Sequence, residues 1–146
     1  MSDVIVKVHA KKGVCFPEYK TEGAAGADVC AFTKEPISLA PGEFKIINTG
    51  LFFEIPCGYE IQVRPRSGLA AKYGITILNT PGTIDWDYRG EVKVCLINHG
   101  QKVFTITNGD RIAQLVLAPV VTANYVASDV LSDTKRGSGG YGSTGI

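Results

Sequence analysis

The chain has 146 residues, 45% of them hydrophobic and 20% charged, with a formal net charge of +1. That length suits one domain able to bury its own core, and so small a charge supplies no overall field to recruit nucleic acid or an anionic membrane, so recognition of anions must rest on local clusters. Charges inside the first apolar run, and the lack of any stretch of about 18 apolar residues, speak against a signal peptide and a membrane-spanning helix, so the expected location is cytoplasmic.

Short runs rich in Val, Ile, Phe and Tyr recur at 4–9, 27–32, 37–40, 44–48, 51–55, 59–65, 75–78, 92–98, 103–106 and 111–120. Glycine, proline or asparagine falls in nearly every gap, as in Pro41-Gly42, Cys57-Gly58 and Asn108-Gly109. Many short strands so punctuated predict an all-β sandwich or barrel. The one expected helix is a turn or two at 67–73, with Ser67 as its cap and Gly74 as its stop. From Ser132 the chain reads SDTKRGSGGYGSTGI, with almost nothing apolar to dock and enough glycine to make a fixed backbone entropically costly. An all-β domain over 1–131 followed by a flexible arm over 132–146 is therefore expected. Cys15, Cys30, Cys57 and Cys95 lie far apart without a C-x-x-C pair and read as reduced thiols, not as a metal site or disulfide frame.

Five stretches carry possible chemistry. In Ala24-Ala25-Gly26-Ala27-Asp28-Val29, Asp28 sits at the mouth of a strand, where a turn aspartate is the default reading. Arg64-Pro65-Arg66-Ser67-Gly68-Leu69-Ala70 joins a strand to the helix; such a junction aims backbone N–H groups, a hydroxyl and an arginine at one point, which suits a phosphate, although a plain capped helix with surface arginines fits too. The runs ITIL and VKVCLI read as a hairpin with an unusually polar connection. Asn79 stands at its entrance, Pro81-Gly82 and Arg89-Gly90 mark turns, and Asp85, Asp87 and Tyr88 lie between. In 108–116 a turn leads into a strand in which Gln114 is polar among apolar neighbours, as a surface residue can be. The arm offers Arg136 as a planar fork, converging glycine amides, the Ser143 and Thr144 hydroxyls, and Tyr141 as a stacking ring. That composition fits an anion clamp and also a disordered Gly/Ser tail; without the Lys-Ser/Thr ending it is not a Walker A loop. His9 and His99 are far apart and are set aside as catalysts, and Lys11-Lys12 reads as a solvated loop.

Together, and in this order, the five stretches resemble the motifs of the trimeric dUTP pyrophosphatases (dUTPases), over nearly the whole chain. The resemblance implies a distorted jelly-roll, β-barrel-like protomer, a homotrimer with active sites at subunit interfaces, and hydrolysis of dUTP to dUMP and pyrophosphate, which keeps uracil out of DNA and supplies dUMP for thymidylate synthesis. It implies Asp85 as general base. Substrate contacts would come from Arg66, Ser67, Gly68, Asn79, Gly82, Thr83, Tyr88, Gln114, Arg136, Tyr141, Gly142, Ser143 and Thr144, with Asp28 in support. Magnesium would be held through substrate phosphates and waters and not by protein ligands directly. The arm would close over the site of a neighbouring subunit. Tyr141 stands where the family usually has Phe, and Trp86 where it usually has a smaller residue; whether Trp86 lies exposed beside the site or packs across a subunit contact is open. A dCTP deaminase of related fold and a non-catalytic trimeric nucleotide sensor are the competing readings.

Overall fold

A computed structural model of the chain describes residues 3–145; Met1, Ser2 and Ile146, the outer ends of the expected domain and arm, lie outside the described residues. In chain order the strands are β1 (Lys7–Ala10), β2 (Ala27–Cys30), β3 (Ile37–Leu39), β4 (Phe44–Asn48), β5 (Leu51–Glu54) and β6 (Tyr59–Arg64). The helix α1 (Ser67–Tyr73) follows, and then come β7 (Ile75–Ile77), β8 (Gly82–Ile84), β9 (Lys93–Asn98), β10 (Phe104–Ile106) and β11 (Arg111–Pro119). The apolar runs at 4–9 and 27–32 yield strands shifted or shortened to Lys7–Ala10 and Ala27–Cys30, because pairing to β5 and β11 sets the strand ends.

All ladders are antiparallel, as expected for strands joined by short turns. The larger sheets have the orders β2-β11-β6-β8 and β4-β9-β7, and the pairs β1-β5 and β10-β3 complete an open, distorted jelly roll in which no barrel closes among the described residues. Alternation of side chains along each strand fills the interior: Ile61 and Val63 of β6 and Val94 and Leu96 of β9 are buried, together with Leu39, Ile47, Leu51 and Ile106. Asn98 and Thr49 are fully buried with their partners. Asn98 donates from Nδ2 to the Leu39 and Lys102 carbonyls at 2.9 and 2.8 Å, and the Thr49 hydroxyl donates to the Val92 carbonyl at 2.6 Å.

The helix ends as its sequence indicates. Gly74 takes the left-handed conformation (φ 69°) that a Cβ disfavours, and its N–H returns to the Ala70 carbonyl at 3.0 Å. Its start differs from expectation, since Ser67 is already helical and Arg66 is the extended cap residue, without a side-chain cap bond. The Arg66 carbonyl accepts the first helical N–H, from Ala70 at 3.1 Å, so the serine lies one place too late to serve as the cap.

The hairpin read from ITIL and VKVCLI exists as β7 paired to β9, with Ile77 opposite Leu96. Its connection carries β8, which leaves the hairpin to pair with β6 in the other sheet, Gly82 opposite Val63. The turn after β8 lies at Asp85–Tyr88, closed by Tyr88 N–H to the Asp85 carbonyl at 3.1 Å, and not at Arg89-Gly90. Beyond Pro119 no strand or helix follows among the described residues, and Val121, Tyr125, Val126, Val130 and Leu131 are exposed. No helix of the described residues is long and apolar enough to cross a membrane.

Candidate active site

The segment between β7 and β9 borders a cleft of about 240 Å³ whose lining includes Asn79, Gly82, Thr83, Asp85 and Tyr88. Five residues that the sequence marked out thus share one surface. Because β8 pairs with β6, Gly82 packs against Val63: a Cβ there would lie 3.1 Å from Val63 Cβ and 3.6 Å from the Asn79 amide nitrogen. The Leu78 N–H is taken by the Cys95 carbonyl at 2.9 Å, and the Thr80 N–H by the Ile77 carbonyl at 3.2 Å. Tyr88 folds back over Gly90, where a Cβ would collide with its hydroxyl oxygen, and donates to the Glu91 carbonyl at 3.0 Å. Arg89 clips the outer turn from inside by donating to the Trp86 carbonyl at 2.6 Å and the Tyr88 carbonyl at 3.2 Å. Trp86 is exposed at the tip.

A second group forms around Asp28, whose side chain is 4% exposed. Arg111 Nη1 donates to Oδ2 at 3.0 Å, Gln114 Nε2 donates to Oδ1 at 3.2 Å, and Arg66 Nε lies 3.5 Å from Oδ1. Arg66 also donates to the Arg111 carbonyl at 3.2 Å. A nearly buried carboxylate flanked by two guanidinium groups is compensated, and it leaves a surplus of positive charge facing outward. Gly26 allows this packing, since a Cβ there would meet Gln114 Cβ at 3.1 Å. Ser67 and Gly68 are exposed at the open start of α1 beside Arg66. Burial first, then the nearby Cys15 and Asp28, push the Cys30 thiol above its ordinary value.

The cleft and the arginine group occupy different parts of one sheet. Asp28, Gln114 and Arg64 form one cross-strand row, while Ala27, Leu115, Val63 and Gly82 form the next, which faces the core. From β2, which carries Asp28, to β8 is three strand spacings of about 4.8 Å, roughly 14 Å, whereas Gln114 lies on β11 and Arg66 just beyond β6, the strand paired to β8.

Arg136, Tyr141, Gly142, Ser143 and Thr144 join neither group. Their segment makes its own turns: Arg136 Nε donates to the Gly139 carbonyl at 2.9 Å and Ser143 N–H to the Gly140 carbonyl at 3.1 Å. Tyr141 is fully exposed.

Sequence reasoning missed Arg111, which read only as the start of a strand. Its partner Asp28 is 83 positions away, a separation that no local pattern encodes. The one available hint was a second basic residue beside a strand-entry turn. Among the described residues no three His, Cys, Asp or Glu side chains are grouped to hold a metal ion.

A protein-family model described as dUTPase matches residues 13–145. The chain belongs to the dUTPase family. It is 60% identical over 136 residues to a deoxyuridine 5'-triphosphate nucleotidohydrolase of Treponema denticola, covering 93% of this chain and 94% of the relative. It is 61% identical over 130 residues to one of Chlamydia pneumoniae, covering 88% and 90%. Among solved structures, the dUTPase of Staphylococcus bacteriophage 80alpha with dUPNHPP superposes with a TM-score of 0.88 at 26% identity, over 97% of this chain and 99% of that one. A mutant dUTPase from phage phi11 of S. aureus, described with a structural Mg(II) ion, matches with a TM-score of 0.77 at 24% identity over 86% and 97%, a likeness of fold.

Proposed function

We propose that this chain hydrolyses dUTP to dUMP and pyrophosphate, the activity its dUTPase relatives are named for, and so keeps uracil out of DNA and provides dUMP for thymidylate synthesis. The observation that carries this reading is the cleft beside β8, where one exposed carboxylate, an amide side chain and a tyrosine ring converge on a pocket fit for a nucleoside. Uracil sits against Asn79 and the main chain up to Gly82, with Thr83 at the pocket wall. Cytosine offers a donor where uracil offers an acceptor, and a mismatch among buried polar groups discriminates by about 10⁴. Tyr88 lies under the sugar and leaves no room for a 2'-hydroxyl.

Asp85 orients a water and accepts its proton as the water oxygen attacks the α-phosphorus; the bond from that phosphorus to the bridging oxygen breaks, and pyrophosphate leaves. Arg66, Gln114 and the Ser67 and Gly68 amides neutralise and align the phosphate chain, with Asp28 and Arg111 fixing the Arg66 and Gln114 side chains. Arg136, Gly142, Ser143 and Thr144 add donors when the arm closes, and Tyr141 stacks on the base. The donor set around Asp28 is cationic, and its carboxylate is already engaged, which fits magnesium held through phosphate oxygens and water and not through a protein cage. When bound there, Mg2+ offsets negative charge on the phosphates.

The arm, whose residues join neither group of their own chain, supports sites shared between chains: a nucleotide in the cleft of one copy meets the arginine group of another, and the arm reaches over from a neighbour. We take the assembly to be a homotrimer in the cytoplasm, each chain being one domain (1–131) with its arm (132–146). Pyrophosphate release measured across dUTP, dTTP, dCTP and UTP, with and without Mg2+, tests the reading, which expects turnover of dUTP alone. Ammonia from dCTP would assign a deaminase instead, and tight binding of dUTP without turnover a sensor.

A further inference from the structure

Glu91 ends the segment that carries Asp85 and Tyr88, and neither the sequence motifs nor the proposed mechanism gives its side chain a task. That side chain is only 12% exposed. Oε1 accepts the Gly50 N–H at 2.9 Å, and Oε2 pairs with Lys11 Nζ at 3.2 Å. Lys11, expected in a solvated loop, has its ammonium 5.7 and 5.9 Å from the Phe32 and Phe52 ring centres, and its own N–H donates to the Gly50 carbonyl at 2.9 Å. The next residue is tied to the same turn: Val92 N–H donates to the Leu51 carbonyl at 2.8 Å, and its carbonyl accepts the Thr49 hydroxyl at 2.6 Å. On the cleft side, the Glu91 carbonyl accepts the Tyr88 hydroxyl at 3.0 Å.

These bonds form one line of force from the β4–β5 turn to the tyrosine ring. We infer that Glu91, braced by Lys11, is a positioning residue that fixes the Tyr88 ring and thereby sets how strongly the cleft rejects ribonucleotides. The inference rests on the proposed hydrolysis of dUTP. A carboxylate suits the place because it accepts at once from a buried amide and an ammonium, both charge-assisted. Without it the Gly50 N–H loses its acceptor in a buried turn, residues 88–91 lose their anchor, and the ring gives way to a 2'-hydroxyl.

The test compares full-length wild type, Glu91→Ala, Glu91→Gln and Lys11→Met by steady-state pyrophosphate release from dUTP and from UTP, with thermal unfolding as a check on folding. Glu91→Ala is expected to raise KM for dUTP about 10-fold, to hold kcat within about 3-fold, and to lower the dUTP-to-UTP ratio of kcat/KM about 10-fold. Glu91→Gln keeps an acceptor for Gly50 and is expected to restore most of the discrimination, with Lys11→Met between the two. Unchanged KM and discrimination in Glu91→Ala overturn the inference, and so does a fall in kcat alone. Should Glu91→Ala fail to fold, Glu91→Gln and Lys11→Met decide, and discrimination equal to wild type in both overturns it. Failure of the functional reading looks different: the wild type itself releases no pyrophosphate from dUTP.

Discussion

Residues 75–92 are held from both sides by β6 and β9 and anchored by Glu91 and Val92, whereas residues 134–145, among the described residues, bond to one another and leave Tyr141 bare. On the proposed mechanism, the first region has its geometry before any nucleotide arrives, and the second acquires it on binding. The contrast separates the tasks of a clamped-phosphate reaction. In the proposed hydrolysis, base selection and water orientation need fixed atoms, which the paired strands would supply, and sealing the phosphates from solvent needs a part that leaves again with the product. A glycine-rich arm costs more entropy to order than a strand does, so in the proposed reaction its closure falls to the bound triphosphate to drive.

Breaking the fixed side has the largest expected effect. Asp85→Asn keeps shape and loses the proton acceptor, so turnover of dUTP falls by about 10²-fold or more with KM little changed, as read by pyrophosphate release. Deleting 136–146 leaves the body's unfolding temperature unchanged and lowers turnover by about 10²-fold, since no strand or core residue lies among the described residues 136–145. Full activity in the truncated chain would make the arm a mere tail and erase the contrast.

Asp28→Ala tests whether the arginine group is preformed. Removing a nearly buried carboxylate leaves Arg66 and Arg111 facing each other, at a cost of about 2 kcal/mol once their partial exposure is allowed for. A melting temperature lower by about 6 °C is expected, along with weaker phosphate binding in a titration with pyrophosphate. The smallest effect belongs to the arm's ring: Tyr141→Ala lowers kcat/KM about 10-fold, the scale of one stacking contact, and Tyr141→Phe by less than about 2-fold. Equal losses in the two variants would remove stacking from the account.

Much of the fold was legible because β-branched runs and Gly or Pro breaks are local signals, and most of the apolar runs became strands. What escaped depended on distance. β8 is three residues opening with glycine, and only its pairing with β6, some twenty positions back, makes it a strand. Ser67 looked like a cap because residue type marks a helix start only to within a position, and the extended backbone of Arg66 settles which residue it is. Asp28 drew attention through its motif, yet its partners Arg111 and Gln114 sit 83 and 86 positions away, and Glu91 meets Gly50 across 41 and Lys11 across 80. Tertiary pairing, not local pattern, makes those contacts.

The most direct measurement is a crystal structure of the assembled protein with a non-hydrolysable dUTP analogue and Mg2+. The account predicts uracil between Asn79 and Gly82, the sugar over Tyr88, the phosphates on Arg66 and Gln114 of a neighbouring copy, and an Asp85 oxygen within about 3 Å of a water in line with the α-phosphorus. An Asp85 carboxylate turned away from any such water, with the nucleotide bound elsewhere, would contradict it.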